Sequence, residues 1–345
     1  MNKWLAIPEQ TRRNAYIQIA EKTGMNAFAV EKDWWVVQTL RIVFEMDVAQ
    51  HQVFKGGTSL SKAWNLIQRF SEDVDLSIER EFFGFKGVLS RTQRTNLRRI
   101  SSTYITEKFF DELKIRFADK GVSGLRCVLI PAKSRDQDPR IIDIYYPHII
   151  EATAYQQPKV QIEIGSRSLR EPFTVRTFTS LVDEEYADRN FVQHPIKVAT
   201  VNPERTFLEK LFLLHEEFHK TQENIRVDRL SRHLYDVYHL AKSEFADKAL
   251  NDKSLYKSIV MHRYQFTKIG DVNYNTHNPK TIDFIPIPEV FERWKADYKT
   301  MLDLMIYETN PPSFDDLITE LTILRDKINS FTWEFEKTFP QPTVS

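Results

Sequence analysis

Apolar positions along this chain follow two periods. In Val160-Gln161-Ile162-Glu163-Ile164 and in Val74-Asp75-Leu76 they alternate, the spacing of a strand with one buried face. Between about Val30 and Phe44 the residues Trp34, Val37, Leu40, Ile42 and Phe44 form a broad apolar face at helical spacing. On this basis residues 8–44 form two helices. Strands are predicted at about 126–130, 140–146, 159–164 and 173–178, with the polar run Ala132–Pro139 as turn material between the first two. Ser90 is placed to cap a long helix reaching about Lys120. Asn202-Pro203 opens another, with proline at the first helical position. Residues 265–288 read as a long loop. Ser313 then precedes a last helix whose Phe314, Leu317, Leu321, Leu324, Ile328 and Phe331 share a stripe.

One block departs from plain packing. Val53 and Phe54 end a short apolar run, Gly56-Gly57 permit a tight turn, and Thr58 is placed to cap a helix carrying Leu60, Ala63, Trp64 and Ile67. The amides of such a turn form an anion site. Asp73 and Asp75 follow, flanked by Val74, Leu76 and Ile78, so both carboxylates share a strand face. Two neighbouring acids repel each other, and a divalent cation neutralises them. Magnesium, with manganese as a substitute, takes one or two carboxylates and completes its shell with phosphate oxygens and water. A phosphate cradle beside a metal-binding pair is the equipment of phosphoryl or nucleotidyl transfer. The bland alternative is a helix start and a solvated acidic strand edge, and either half alone is a weak signal.

Glu163 points away from its three aliphatic neighbours, as a third carboxylate facing the pair must, and Asp143 in Ile142-Asp143-Ile144 offers the same alternation. Lys210 lies in the mostly apolar stretch Phe207–Leu214, so its ammonium either reaches a partner such as triphosphate oxygens or snorkels to solvent. Arg91, Arg94 and Arg98, with Arg99 beside them, make a row suited to RNA phosphates, although most such rows are solvated faces. His215-Glu216-Glu217-Phe218-His219 fits the zinc-peptidase pattern His-Glu-x-x-His, but no further histidine or glycine follows at metzincin spacing. A formal charge of +0 over 345 residues excludes a generally polybasic coat, and 41% hydrophobic with 28% charged residues is ordinary for a globular protein. The single cysteine, Cys127, excludes an internal disulfide and reads as a packed strand residue. No apolar run approaches membrane-spanning length, so the cytoplasm is expected.

The run Lys55-Gly56-Gly57-Thr58-Ser59-Leu60 with Arg69-Phe70-Ser71-Glu72-Asp73-Val74-Asp75-Leu76 resembles the polymerase β-type nucleotidyltransferase superfamily, and more closely its AbiEii/AbiGii toxin branch. The spacing between glycines and acids matches that branch, and the likeness extends along most of the chain. Glu31-Lys32-Asp33-Trp34 resembles the branch's entry helix, read here as packing. Arg205-Thr206-Phe207-Leu208-Glu209-Lys210-Leu211 resembles its lysine segment, and Arg229–Tyr238 its Arg-(His/Asp)-x-x-Asp helix.

The resemblance implies an α/β fold: a mixed-sheet nucleotidyltransferase core over residues 1–200, then a helical domain over 201–345 that closes the active site. It implies a magnesium-dependent toxin that moves a nucleoside monophosphate from an NTP to an acceptor such as tRNA, with a cognate antitoxin, in toxin-antitoxin or phage-defence function. Asp73, Asp75, Lys210 and Asp236 are then catalytic. Gly56, Gly57, Thr58, Ser59, Ser71 and Lys210 bind nucleotide, and Asp73, Asp75 and Glu163 bind metal. From the residues alone, Asp236 is equally placed to pair with Arg232 one turn before it. The alternatives are a kinase-like phosphotransferase acting on protein, a zinc peptidase using His215, Glu216 and His219, and a noncatalytic NTP-binding regulator.

Overall fold

The alternating segments assemble into one mixed sheet in a computed structural model that describes residues 1–152, 157–167 and 172–342. Its strands are β1 (Gln52–Lys55), β2 (Asp73–Ile78), β3 (Arg126–Leu129), β4 (Arg140–Tyr145), β5 (Lys159–Gly165), β6 (Phe173–Phe178) and β7 (Ile196–Val201). Their spatial order is β3-β4-β5-β2-β1-β7-β6. β2 runs antiparallel to β1 and parallel to β5, and β1 runs parallel to β7. The four strand ranges predicted from periodicity are all present. β7 escaped that reading although Ile196, Val198 and Thr200 alternate with Lys197 and Ala199, because Ala and Thr leave the apolar signal weak.

The chain divides into two compact units, residues 1–65 with 69–201 and residues 66–68 with 202–345. The first holds the sheet and the helices α1 (Asn2–Leu5), α2 (Glu9–Thr23), α3 (Ala27–Val43), α4 (Gly56–Thr58), α5 (Arg91–Tyr104), α6 (Phe110–Ala118) and α7 (Leu181–Glu185). Ser90 and Gln93 form a reciprocal capping box at the start of α5, and a π-helical stretch, Ile105–Phe109, carries that helix into α6. Val74, Leu76, Ile78, Val160, Ile162, Ile164, Ile142 and Ile144 make one buried face, packed in a common core with Trp34, Val37 and Leu40 of α3 and Phe109, Leu113 and Phe117. Each such side chain contributes about 1.5–3 kcal/mol on full burial. Because strands have period two, Asp73, Asp75, Gln161 and Glu163 lie together on the opposite face. Cys127 is half-buried on the edge strand β3 rather than fully packed, and burial pushes its thiol up to about 11.

Helix α3 is capped by Asn26, whose side chain accepts from Ala29 N at 2.7 Å. It is buried on nearly all sides, including three consecutive charged residues, Glu31, Lys32 and Asp33. Glu31 accepts backbone N–H bonds from Ile149 at 2.9 Å and Ile150 at 3.0 Å. Burial pushes its carboxyl up to about 7, against the pull of those two donors. An acid raised on folding adds stability while protonated, fully below its unfolded value near 4.5, and loses it as pH climbs to about 7. Wild-type protein is therefore expected to lose on the order of 3 kcal/mol from this group across that window. Glu31→Gln should flatten the slope, as urea unfolding at a series of pH values will show.

The second unit contains α8 (Pro203–Phe218), α9 (Arg232–Ala241), α10 (Glu244–Asn251), α11 (Lys253–Phe266), α12 (Pro288–Leu304) and α13 (Phe314–Asn329). Pro203 occupies the first position of α8, and Ser313 caps α13 by accepting from Asp316 N at 3.1 Å. Phe314, Leu317, Leu321, Leu324 and Ile328 form the buried stripe of α13, and Phe331 falls beyond its end. Among the described residues no helix is long and apolar enough to cross a membrane.

Candidate active site

The chain leaves β1 at Lys55 and turns through Gly56, whose φ of +80° belongs to the left-handed region. A Cβ on Gly56 would lie 1.9 Å from Asp75 Oδ2, so the bare backbone makes room for that carboxylate. On Gly57 a Cβ would meet Arg69 Nη2 at 2.6 Å and Ser71 Oγ at 2.8 Å. Glycine at both positions thus lets the turn lie flat against the acid strand and its approach. Gly56→Ala should cost about 1–2 kcal/mol for the left-handed backbone alone and push Asp75 aside. A lower melting temperature together with weakened nucleotidyl transfer is the expected result.

Thr58 does not cap the helix as its position suggested. α4 begins at Gly56, and Thr58 lies inside it with helical angles. Its hydroxyl donates instead to Asp73 O at 2.5 Å, tying helix to acid strand. Ser59 is buried and donates to Gly56 O at 2.9 Å. The helix continues as a π-turn, Ser59–Ala63, and ends there, leaving Trp64 and Ile67 outside it. Trp64 Nε1 donates to Val201 O at 3.0 Å.

Asp75 stands opposite Lys55 on one side and Glu163 on the other, while Asp73 stands opposite Gln161. All three acids are half-buried. Gln161 Nε2 donates to Glu163 Oε1 at 3.2 Å. Asp143 belongs to the same face but is a strand further away, opposite Gln161. It is buried and takes Lys159 Nζ at 2.7 Å. Register therefore puts Glu163, not Asp143, beside the acid strand. Among the described residues no group of three His, Cys, Asp or Glu side chains is gathered to hold a metal. Two carboxylates on hard oxygen chemistry, with phosphate and water completing the shell, are nonetheless the ligand set magnesium ordinarily takes.

Lys32, read as part of a packing helix, has a polar task. Its ammonium is 2% exposed and lies 2.6 Å from Glu72 Oε2, next to Asp73 in sequence, and 3.1 Å from Gln157 O. Burial pushes it below the usual lysine range, with Glu72 pulling the other way. Three consecutive charges, Glu31 to Asp33, between apolar runs of one helix were the available signal.

In the second unit Lys210 Nζ lies 2.7 Å from Asp236 Oδ2, with the carboxylate fully buried, and 3.3 Å from His233 Nδ1. α8 and α9 thus bring together the lysine and the acid that the sequence marked separately. The His215 pattern goes another way. Nδ1 of His215 lies 2.9 Å from Asp283 O and Nε2 lies 2.9 Å from Thr276 Oγ1, so both ring nitrogens are engaged. His219 Nδ1 lies 2.7 Å from His215 O. Burial opposes the charged form of Glu216, but the Arg263 guanidinium outweighs it and holds the carboxyl at about 2. So weak a base, with His277 Nε2 at 3.2 Å, is a buried structural anion. The zinc-peptidase alternative falls on this geometry. In the arginine row, Arg91 and Arg99 are exposed, Arg94 donates to Leu89 O at 2.8 Å, and Arg98 lies 3.6 Å from Asp136.

The sequence matches the family model described as nucleotidyl transferase AbiEii toxin, type IV toxin-antitoxin system, over residues 41–320. The chain belongs to the AbiEii family. It is thus a nucleotidyltransferase toxin of a type IV toxin-antitoxin system, which implies an NTP substrate and an antitoxin partner. No curated protein matches the sequence. Among solved structures, this AbiEii chain is similar to MenT4, a nucleotidyltransferase toxin from Mycobacterium tuberculosis H37Rv. The identity is 15%, the TM-score 0.41, and the match covers 94% of this chain and 99% of that one. JHP933 from Helicobacter pylori is similar at 14% identity and a TM-score of 0.42, over 87% of this chain and 91% of that one.

Proposed function

We propose that this AbiEii-family chain transfers a nucleoside monophosphate from an NTP to RNA, tRNA included, with magnesium held by Asp73 and Asp75 and bordered by Glu163. The observation that carries the reading is the Gly56 turn seated on the Asp75 carboxylate, with Asp73 and Glu163 on the same sheet face. The hydroxyl protons of Thr58 and Ser59 are donated within the protein, and the Ser59 N–H is spent on Gly56 O, so Gly57 and Thr58 would meet phosphate through backbone N–H groups while Ser59 shapes the turn. Ser71, packed over Gly57, would position the acid strand. Lys210 would neutralise triphosphate charge, with Asp236 orienting its ammonium. When bound, magnesium would polarise the phosphate oxygens and lower the charge barrier to attack. The chain's own contribution is to hold the acceptor hydroxyl and the α-phosphate in line, so that the acceptor oxygen bonds the α-phosphorus as the α–β phosphoanhydride bond breaks and pyrophosphate leaves. Arrest of the host through a modified tRNA would suit phage defence.

The test is incubation with α- and γ-labelled NTPs and total RNA, comparing wild type with Asp73→Ala and omitting magnesium in one arm. The expected result is α-label on RNA, absent without metal or with the variant. Transfer of γ-label to protein would replace this reading with a kinase.

A further inference from the structure

Glu31, Lys32 and Asp33 are 0%, 2% and 9% exposed within a helix that is otherwise apolar around them. The two residues nearest the candidate site reach opposite parts of it. Lys32 holds Glu72, the residue immediately before Asp73, at 2.6 Å. Asp33 Oδ1 lies 2.8 Å from Lys62 Nζ, in the helical turn that continues α4, while its Oδ2 accepts from Leu181 N at 2.8 Å. One turn of α3 therefore grips both the approach to the acid strand and the helix that follows the glycine turn.

Burying ions costs several kcal/mol each, and apolar side chains of similar volume would stabilise such a helix as well or better. Two consecutive ion pairs are thus a poor device for stability. They do fix geometry, because each requires one distance and one direction. Thr58 closes the same frame from the other side through its bond to Asp73 O.

We propose that Lys32 and Asp33 are positioning residues for nucleotidyl transfer: adjacent on α3, they set the separation between the phosphate cradle and the Asp73–Asp75 strand. The proposal rests on the function proposed above, and its test keeps the two separable. Full-length wild type, Lys32→Arg, Asp33→Asn and the apolar pair Lys32→Met/Glu72→Leu are compared. The apolar pair removes both charges of the Lys32–Glu72 grip together rather than one of them, so it should fold with a melting temperature near wild type.

Three readouts follow: kcat and nucleotide KM for α-label transfer, manganese affinity of the nucleotide-free protein by calorimetry, and hydrogen exchange across residues 69–76. In the apolar pair and in Asp33→Asn we expect kcat and manganese affinity to fall about 10–100-fold, as for partners that orient metal ligands, with KM unchanged. Exchange across 69–76 should quicken in the apolar pair. Lys32→Arg should recover part of the loss. A folded apolar pair with wild-type exchange, manganese affinity and kcat would overturn the proposal while leaving nucleotidyl transfer intact. If wild type moves no α-label, the function reading fails, and the exchange and manganese measurements still decide whether Lys32 and Asp33 hold the strand.

Discussion

Asp73→Ala is expected to remove nucleotidyl transfer while leaving a folded protein. A bound metal supplies several kcal/mol of transition-state stabilisation, and at 1.36 kcal/mol per tenfold the loss should reach about 10³-fold or more in kcat. Asp75→Ala should do the same, since Asp75 is the carboxylate on which Gly56 is seated. Both side chains are half-buried on the sheet face opposite the apolar core, so neither substitution opens a core cavity, and melting should change little. Single-turnover label transfer and a thermal melt on the same preparation check both halves. Activity within a few fold of wild type in a folded Asp73→Ala protein would remove that residue from the mechanism.

Lys210 gives the second large effect, and here stability and catalysis move together. Its ammonium and the Asp236 carboxylate form a buried pair at 2.7 Å. Truncating Lys210 to alanine takes the ammonium away from this buried carboxylate and from His233 Nδ1, which lies 3.3 Å from it. Breaking a buried pair from one side costs about 3–5 kcal/mol, so Lys210→Ala should lower the melting temperature strongly and be inactive. The two causes separate in the double variant Lys210→Met/Asp236→Leu, which exchanges the pair for apolar groups and should regain most of the stability. Under the proposed function it stays inactive, because the Lys210 ammonium that would neutralise triphosphate charge is gone. Recovery of transfer along with stability would make Lys210 a structural residue only.

Much of the architecture was legible because side-chain periodicity is local. Alternation over Lys159–Ile164 announces both the strand and the face on which Glu163 stands, and the same logic puts Asp73 and Asp75 together. The helix-start signals at Ser90, Pro203 and Ser313 are likewise read from a few adjacent residues, although Asn202 before Pro203 makes no side-chain capping bond. Where two local meanings compete, pattern reading weakens. Thr58 has the composition of a cap but uses its hydroxyl on Asp73 O, fifteen residues away. His215 to His219 has metal-ligand spacing, yet its ring nitrogens are satisfied by residues of the segment after α11. Lys32 lies in a helix legible as packing, and its partner Glu72 is forty residues distant. Which charge meets which depends on how elements dock, and no window of sequence contains that.

The amino-acid sequence alone determined the order and kind of most elements, the family, and the shared face of the two aspartates. Those properties follow from spacing along one strand or helix and from short motifs. Tertiary structure alone decided that Gly56 makes room for Asp75, that Glu163 rather than Asp143 borders the acid strand, that buried Lys32 meets half-buried Glu72, and that Lys210 pairs with buried Asp236. The reason is desolvation: a charge taken out of water must find its partner in space, and only the packed chain brings residues so far apart in sequence within bonding distance.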